Sequence, residues 1–323
     1  MVLIMSENND ITTDRVIEWL YFFGVTDIVR INKGDKIIIE KIDIQNNTII
    51  LKTKDKEIDL RDIAFFWYRR GLLTHFTEKE IVFEDADLNR QANRFLNFEW
   101  HICRDFILYS LQQKKSLGNF FKSEANKPVN LRIAKECGLE IPESIISESI
   151  ALLKNFQNNG PVITKPIGEA LSLGYKEGNY RIFTTEVKKE FFTDEKTIFP
   201  TLLQKKIEKQ FEIRAFVMYE KIYAMAIFSQ RNSKTNIDYR NYDFEKKNRM
   251  IPYILPLALQ EKILNFMQKT GLDTGSFDFI KTPDNRYVFL EVNPVGVIDM
   301  VSSHCNYNIE KEIAEMIKNK MCI

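Results

Sequence analysis

The chain has 323 residues, 44% hydrophobic and 28% charged, with 12 Gly and 9 Pro, a balance that excludes a disordered polymer and leaves room for two or three lobes. Lys plus Arg (46) cancels Asp plus Glu (45), which excludes a global field for nucleic acid or an anionic membrane. No apolar run is long enough to span a bilayer and MVLIM followed by SENND is too short for a signal peptide, so a cytoplasmic protein with no nucleic-acid or membrane partner is expected.

In chain order, residues 2–5 read as a strand, Thr12 to Asp14 offer helix caps, and Gly24 closes a helix carrying Trp19, Leu20 and Phe23. Residues 36–44 and 48–53 alternate about Asn46 and Asn47, the pattern of a hairpin, and 63–68 reads as a further strand. From 84 to 114 the apolar positions Leu88, Ala92, Phe95, Leu96, Trp100, Cys103, Phe106, Ile107 and Leu111 keep a helical period, which predicts one long helix ending a first α/β lobe. The polar stretch 116–126 reads as a linker, and Pro128 begins a helix through Cys137 with Gly138 as its C-cap.

Strand 143–146, a helix to about Asn158 and the strand VITKP predict a small central subdomain. A larger one follows, with hairpins at 211–230 (turning at Glu220 and Lys221) and 275–293 (turning at 283–285), and a helix 256–270 between them. A last helix runs over 308–320. The expected domains are 1–118, 119–195 and 196–323. Cys103, Cys137, Cys305 and Cys322 lack metal-site or paired spacing and read as free thiols, and the scattered His75, His101 and His304 receive no role.

The segment SFDFIKTPDNRYVFLEVNP carries the most chemistry. With the turn centred between Asp284 and Asn285, antiparallel pairing sets Phe277 opposite Val292, Phe279 opposite Leu290, Asp278 opposite Glu291 and Ser276 opposite Asn293. One face is then apolar and the other holds Asp278, Glu291 and Asn293. Opposed like charges destabilise a sheet, so a cation belongs between them, and hard oxygen ligands at that separation suit Mg²⁺. Taken alone, the pattern is equally that of a solvated hairpin face. No GxxxxGK[ST] or GxGxxG loop is present, so a phosphate grip must come from elsewhere; the candidates are Lys165, ending PVITKP, and Lys127, before Pro128. After Lys165, Gly168 and Gly174 permit a loop that covers phosphates.

Placed in order, KPVNLRIAKECGLEIPESI, PVITKP, LLQKKIEKQFEIRAFVM and FDFI with FLEVNP resemble the ATP-grasp superfamily over residues 126–296. The resemblance implies an ATP-grasp fold of α/β class, with an N-terminal α/β domain, a small central subdomain and a C-terminal subdomain. It implies ATP and Mg²⁺ as cofactors, with Lys127 and Lys165 on the nucleotide phosphates and Gln204, Lys205, Lys206 and Ile207 lining the adenine pocket. Asp278, Glu291 and Asn293 would hold magnesium, and Arg214 in EIRAFVM would meet the γ-phosphate or acyl phosphate.

Within the superfamily the chain looks most like graspetide peptide maturases of the microviridin-like, grasp-with-spasm type, through FFWYRRG (65–71), IFSQRNSKTNIDYRNYD (227–243) and the segment order. Such enzymes phosphorylate an Asp or Glu of a ribosomal precursor peptide, and a Ser/Thr hydroxyl or Lys amine then closes a macrocyclic ester or amide. By this likeness Arg69, Arg70 and Arg231 would bind acidic substrate side chains, Arg240 would act at the reaction centre with Asp238 as a guessed base, and the working form would be a homodimer. A ligase for a free amino acid, small peptide or another protein would share the nucleotide residues, and a non-catalytic ATP-binding regulator would share the fold.

Overall fold

The computed structural model describes residues 1–76, 82–168, 172–175, 178–192, 196–230, 235, 237–241 and 245–321. The chain separates into two compact units, Met1–Ser123 with Asn308–Ile323, and Glu124–Tyr307.

The first unit runs β1 (Val2–Ser6), α1 (Ile11–Phe22), β2 (Ile28–Asn32), β3 (Lys36–Asp43), β4 (Thr48–Lys52), β5 (Glu57–Asp59), β6 (Phe65–Tyr68), β7 (Thr74–His75), α2 (Ala86–Gln112) and β8 (Ser116–Leu117). One sheet is all parallel in the order β2-β1-β6-β8, and the second has the order β5-β4-β3-β7. Parallel strands covered on both faces must be continuously apolar. That accounts for VLIM in β1 and FFWY in β6, whose side chains are all buried. The stretch 116–126, expected as a linker, begins inside this sheet, because Phe66 N–H donates to Lys115 O at 2.9 Å and β8 pairs with β6.

The motif FFWYRRG has a structural explanation in this unit. Arg69 is 3% exposed, with Nε 3.4 Å from Asp10 Oδ2, and burial pulls its guanidinium down to about 10. Arg70 reaches Glu7 Oε1 at 2.5 Å and Asp10 Oδ2 at 3.1 Å. Gly71 has φ +93° and backs onto Ser6, where a Cβ would stand 2.2 Å from the Ser6 carbonyl oxygen. The C-terminal helix Ile309–Met321 also belongs here. Its buried Ile309, Ile313, Ala314 and Ile317 form one face, it packs on α1, and Lys311 and Lys318 lie over Trp19 and Phe23. The end of the chain therefore returns to the unit in which it began, and does not extend the last subdomain.

The second unit runs α3 (Lys127–Glu136), β9 (Ser144–Ser149), α4 (Ile150–Asn158), β10 (Val162–Thr164), β11 (Ser172–Tyr175), β12 (Gly178–Arg181), β13 (Thr185–Glu186), β14 (Thr197–Lys205), β15 (Phe211–Met218), β16 (Lys221–Phe228), β17 (Arg249–Tyr253), α5 (Leu257–Thr270), β18 (Thr274–Lys281), β19 (Tyr287–Asn293) and α6 (Ile298–Cys305). A four-stranded sheet has the order β13-β10-β14-β9, a five-stranded one the order β17-β16-β15-β18-β19, and β11 and β12 form a separate hairpin. β14 lies beyond residue 195 yet completes the smaller sheet, pairing with both β9 and β10. The β15–β16 turn is Tyr219–Glu220, one residue earlier than expected, with Tyr219 at φ +52°.

Alternation along the larger sheet divides its faces. Ile213, Ala215 and Val217 of β15, Phe277 and Phe279 of β18, and Phe289 and Val292 of β19 face α5 and α3 and build the core with Ile263, Phe266 and Leu131. Burying each such side chain contributes about 1.5–3 kcal/mol. The opposite face receives Glu212, Arg214, Asp278 and Glu291. Every residue of β15 and β18 is buried nonetheless, so Glu212, Arg214 and Asp278 have been taken out of water and must find partners, while Glu291 on β19 is half-buried.

Candidate active site

The carboxylate pair stands in the predicted register: Ser276 is opposite Asn293, Phe277 opposite Val292 and Asp278 opposite Glu291. Beyond it the pairing shifts, and Phe279 meets Phe289 in place of Leu290. The loop 282–286 is centred on Asp284, half a residue from the expected point, and a bulge at Leu290 restores the register toward Asp278. Beside the bulge, Phe289 N–H donates out of the sheet to Glu140 O at 2.7 Å.

A narrow cavity of about 60 Å³ lies between the two sheets, against Lys165, Gln204, Lys205, Ile207, Asp278 and Glu291. A wider one of about 240 Å³ adjoins it, lined by Lys127, Lys165, Arg240, Glu291 and Asn293. Four of the predicted cations converge on the two carboxylates. Arg214, opposite Asp278 on the adjacent strand, has Nε 3.5 Å from Asp278 Oδ1, and its Nη1 donates to the Tyr239 hydroxyl. Arg240 Nη1 donates to Glu291 Oε1 at 3.1 Å, while its Nε and Nη2 close on the two Asp238 oxygens, each at 2.9 Å. Lys127 Nζ lies 3.7 Å from Glu291 Oε2 and donates to Pro166 O at 3.1 Å and to Gly168 O. Lys127 thereby ties the N-terminus of α3, capped by Asn126, to the chain just after Lys165.

Lys165 is 9% exposed, and burial pulls its ammonium below the ordinary lysine range against the opposing pull of Glu291. It makes no hydrogen bond among the described residues. Burial pushes the Asp278 carboxyl up, with Arg214 opposing and Glu291 reinforcing. For Glu291 burial acts upward too, but Lys165, Arg240 and Lys127 outweigh it and the carboxyl is held down. Burial also raises Asp238, and the Arg240 hydrogen bonds more than reverse that. Asp238 is therefore a poor base with both oxygens engaged; its geometry is that of a clamp on Arg240.

The donor set suits Mg²⁺. Asp278 Oδ1 is buried with no hydrogen-bond partner, which is the orphaned acceptor a cation would satisfy. Among the described residues no group of three His, Cys, Asp or Glu side chains is placed to hold a metal; Mg²⁺ commonly takes one or two carboxylates and fills its octahedron with phosphate and water. Asn293 Oδ1 accepts from Val295 N–H at 3.1 Å and Gly296 N–H at 3.2 Å, so it organises the turn after β19 as it stands beside the pair.

The expected adenine segment is divided, with three of its four residues on the cavity. Gln204, Lys205 and Ile207 line the narrow cavity; Lys206 turns away to Glu186 at 2.6 Å. Gln204 is 1% exposed, donates to Ser144 Oγ at 2.8 Å and leaves Oε1 without a partner. Lys205 is held by Phe156 O at 2.7 Å. Arg69 and Arg70 lie in the first unit, engaged with Asp10 and Glu7. Arg231 lies outside the described residues, as do 169–171 of the loop after Lys165.

Three further residues belong here. Glu212, held up by burial, pairs with Lys209 and accepts from Ser229 Oγ at 3.0 Å, and both charged residues line the narrow cavity. The signal was available, because Glu212 lies two residues before Arg214 and shares its face. Tyr239, buried against Arg214, had no such signal.

No family model and no curated protein matches the sequence. Solved structures do. The macrocyclase MdnC of Microcystis aeruginosa MRC, bound with precursor peptide MdnA, matches over 99% of this chain and 100% of its own at 24% identity and TM-score 0.76. The RiPP-associated ATP-grasp ligase of Chryseobacterium gregarium, in complex with ADP and a leader and core peptide, matches over 99% and 96% at 24% identity and TM-score 0.79. The chain has the ATP-grasp fold. A third neighbour, the ATP-grasp ligase PsnB complexed with a phosphomimetic variant of its minimal precursor, Mg and ADP, aligns over 99% and 98% at 15% identity and TM-score 0.69. These matches span the whole chain, so the likeness in fold extends over the N-terminal unit.

Proposed function

We propose that this ATP-grasp protein is an ATP-dependent ligase that joins Asp or Glu side chains of a ribosomal precursor peptide to Ser/Thr hydroxyls or Lys amines, forming macrocyclic esters or amides. The observation that carries the reading is the opposed pair of buried Asp278 and half-buried Glu291, ringed by Lys127, Lys165, Arg214 and Arg240. Bound precursor-derived peptides in the MdnC, Chryseobacterium and PsnB structures, with ADP in the latter two, support the substrate class. Among the described residues no helix is long and apolar enough to cross a membrane, and the reading places the protein in the cytoplasm as a homodimer.

Asp278 and Glu291 would hold Mg²⁺, with Asn293 beside them, and the ion would supply neutralisation of phosphate charge. The chain's own residues bind and orient. Lys165, desolvated, and Lys127, tied to the following loop, fix the phosphates of ATP. Gln204 offers its unpartnered Oε1 to a donor in the narrow cavity. The γ-phosphoryl group passes to the substrate carboxylate and ADP leaves; the hydroxyl or amine then bonds to the acyl carbon, loses its proton, and phosphate departs. Arg214, always charged and held by Tyr239, stabilises the transferring group. Arg240, fixed by Asp238, offers a guanidinium to an acidic substrate side chain.

Intact mass of a candidate ribosomal precursor peptide with an acidic core, after incubation with the protein, ATP and Mg²⁺, tests the reading. Loss of one water per ring by the wild type and not by Glu291→Ala is the expected result. ATP consumption only on adding a free amino acid, with the precursor unchanged, would move the substrate class to a small-molecule ligase.

A further inference from the structure

A small buried network ties the start of β15 to the chain that follows β16. Lys209, just before β15, has a side chain 8% exposed. Its ammonium donates to Ile237 O at 3.0 Å and to the Glu212 carboxylate. Glu212 also accepts from the hydroxyl of Ser229, which is fully buried just past β16, and Thr235 Oγ1 lies 3.1 Å from Ser229 O. The backbone beside Lys209 is itself fixed, because Gln210 N–H donates to Lys281 O at 2.7 Å.

We propose that Lys209 is a positioning residue: by holding the Ile237 carbonyl it sets where Tyr239 and Arg240 stand at the reaction centre. The Tyr239 hydroxyl accepts from Arg214, and Arg240 meets Glu291. Three residues of chain span at most about 10 Å, so a fixed carbonyl at 237 leaves the backbone of Arg240 little room. The turn closed by Asn241 N–H on Asp238 O at 3.1 Å shortens that reach further.

The chemistry of the tether separates it from a ligand grip. A buried ammonium is unfavourable unless paired, and Glu212 supplies the charge that neutralises it. Burial raises the Glu212 carboxyl and Lys209 pulls it back, so each holds the other in its charged form. With Glu212 and Ile237 O both engaged, the ammonium faces an internal anion and a carbonyl and has little left for an external phosphate or carboxylate. Lys209, Glu212, Ile237 and Tyr239 all line the narrow cavity, so a molecule that fills it packs against the tether and the tethered segment together. The tether thereby couples that cavity to the Arg240 guanidinium. Its effect on turnover rests on the role given to Arg240 in the proposed function; its hold on the segment does not.

The test compares the full chain as wild type, Lys209→Met, Lys209→Arg, Arg240→Gln and Lys209→Met/Arg240→Gln, by hydrogen–deuterium exchange without ligand and by precursor-dependent ATP turnover. In Lys209→Met the amides of 238–241 should exchange about tenfold faster, with β15 and β18 unchanged. Its kcat should fall by about 10- to 100-fold while the KM for ATP moves less than about threefold. Lys209→Arg keeps donors for both partners and should recover most of the loss. The double variant should lose clearly less than the product of the two single losses, because both changes act through one guanidinium. Should Lys209→Met unfold by leaving Glu212 unpaired, Lys209→Met/Glu212→Gln removes both charges, and the same faster exchange at 238–241 is expected. Unchanged exchange there overturns the proposal. So does faster exchange throughout the second unit, or multiplicative losses in the double variant, either of which makes Lys209 a structural residue. Faster exchange confined to 238–241, in a chain whose wild type shows no precursor-dependent turnover, would uphold the tether and overturn the ligase reading instead.

Discussion

Asp278 on β18 and Glu291 on β19 stand directly opposite each other, yet their carboxyls are driven in opposite directions, Asp278 up and Glu291 down. Both are raised by burial. Glu291 faces Lys165, Arg240 and Lys127, whereas Asp278 has chiefly Arg214 and feels Glu291 as a like charge. Glu291 is thus the better compensated of the two carboxyls, and Asp278 the one short of a cation. Replacing either by its amide, Asp278→Asn or Glu291→Gln, should lower precursor-dependent ATP turnover by about 10²–10³-fold, read as ADP release. Full turnover in Glu291→Gln would put the chemistry elsewhere.

Lys165 predicts a conflict between stability and binding. Its ammonium is desolvated, so Lys165→Met removes a cost in the ligand-free chain and should raise its melting temperature or leave it unchanged. The same change removes a charge-assisted contact of about 1.5–3 kcal/mol, which raises the KM for ATP by roughly 10- to 100-fold. A variant less stable and with unaltered KM would make Lys165 a structural residue.

Tyr239 holds Arg214 through its hydroxyl. Tyr239→Phe keeps the ring and removes that bond, so kcat should fall about tenfold, one hydrogen bond's worth, with little change in the KM for ATP. Arg214→Lys should cost more, since an ammonium lacks the forked geometry. Equal loss in kcat and affinity for Tyr239→Phe would indicate a cavity-lining role instead.

Gly71→Ala places a Cβ 2.2 Å from Ser6 O at φ +93°, with backbone and not a flexible side chain in the way. Destabilisation of about 2–4 kcal/mol is expected in chemical denaturation. Gly24→Ala, at φ +82° in open space, should cost only about 1 kcal/mol. Similar values for the two would refute the close approach.

The turn after β3 supplies a pH test. Side-chain and then backbone hydrogen bonds from Asn46, with Lys41 adding, pull Asp43 down to about 2. A carboxyl lowered on folding stabilises above its unfolded value, near 3.8, and loses that contribution as pH falls through about 2. Asp43→Ala should therefore be less stable than wild type at neutral pH and indistinguishable from it in strong acid, by unfolding measured across the range. A difference that persists below the titration would trace the effect to packing.

Local chemistry in the sequence determined a great deal: the helix from Lys127 closed by Gly138, the long α2, both hairpins, and the opposition of Asp278 to Glu291. Side-chain period, caps and turn residues lie within a few positions of what they specify, so they are legible without a fold. The bulge at Leu290 is different: beside it the Phe289 N–H goes to Glu140, far away in sequence, a partner that no local pattern reveals. Likewise, Arg240 meets Glu291 across 51 positions and Lys127 meets Gly168 across 41, contacts that exist only once two sheets close on one another. The return of the last helix to α1, and the bareness of a stripe on α2 whose period alone predicts burial, were also decided by tertiary packing. Period says which side of an element is apolar; only the assembled neighbours determine what, if anything, covers it.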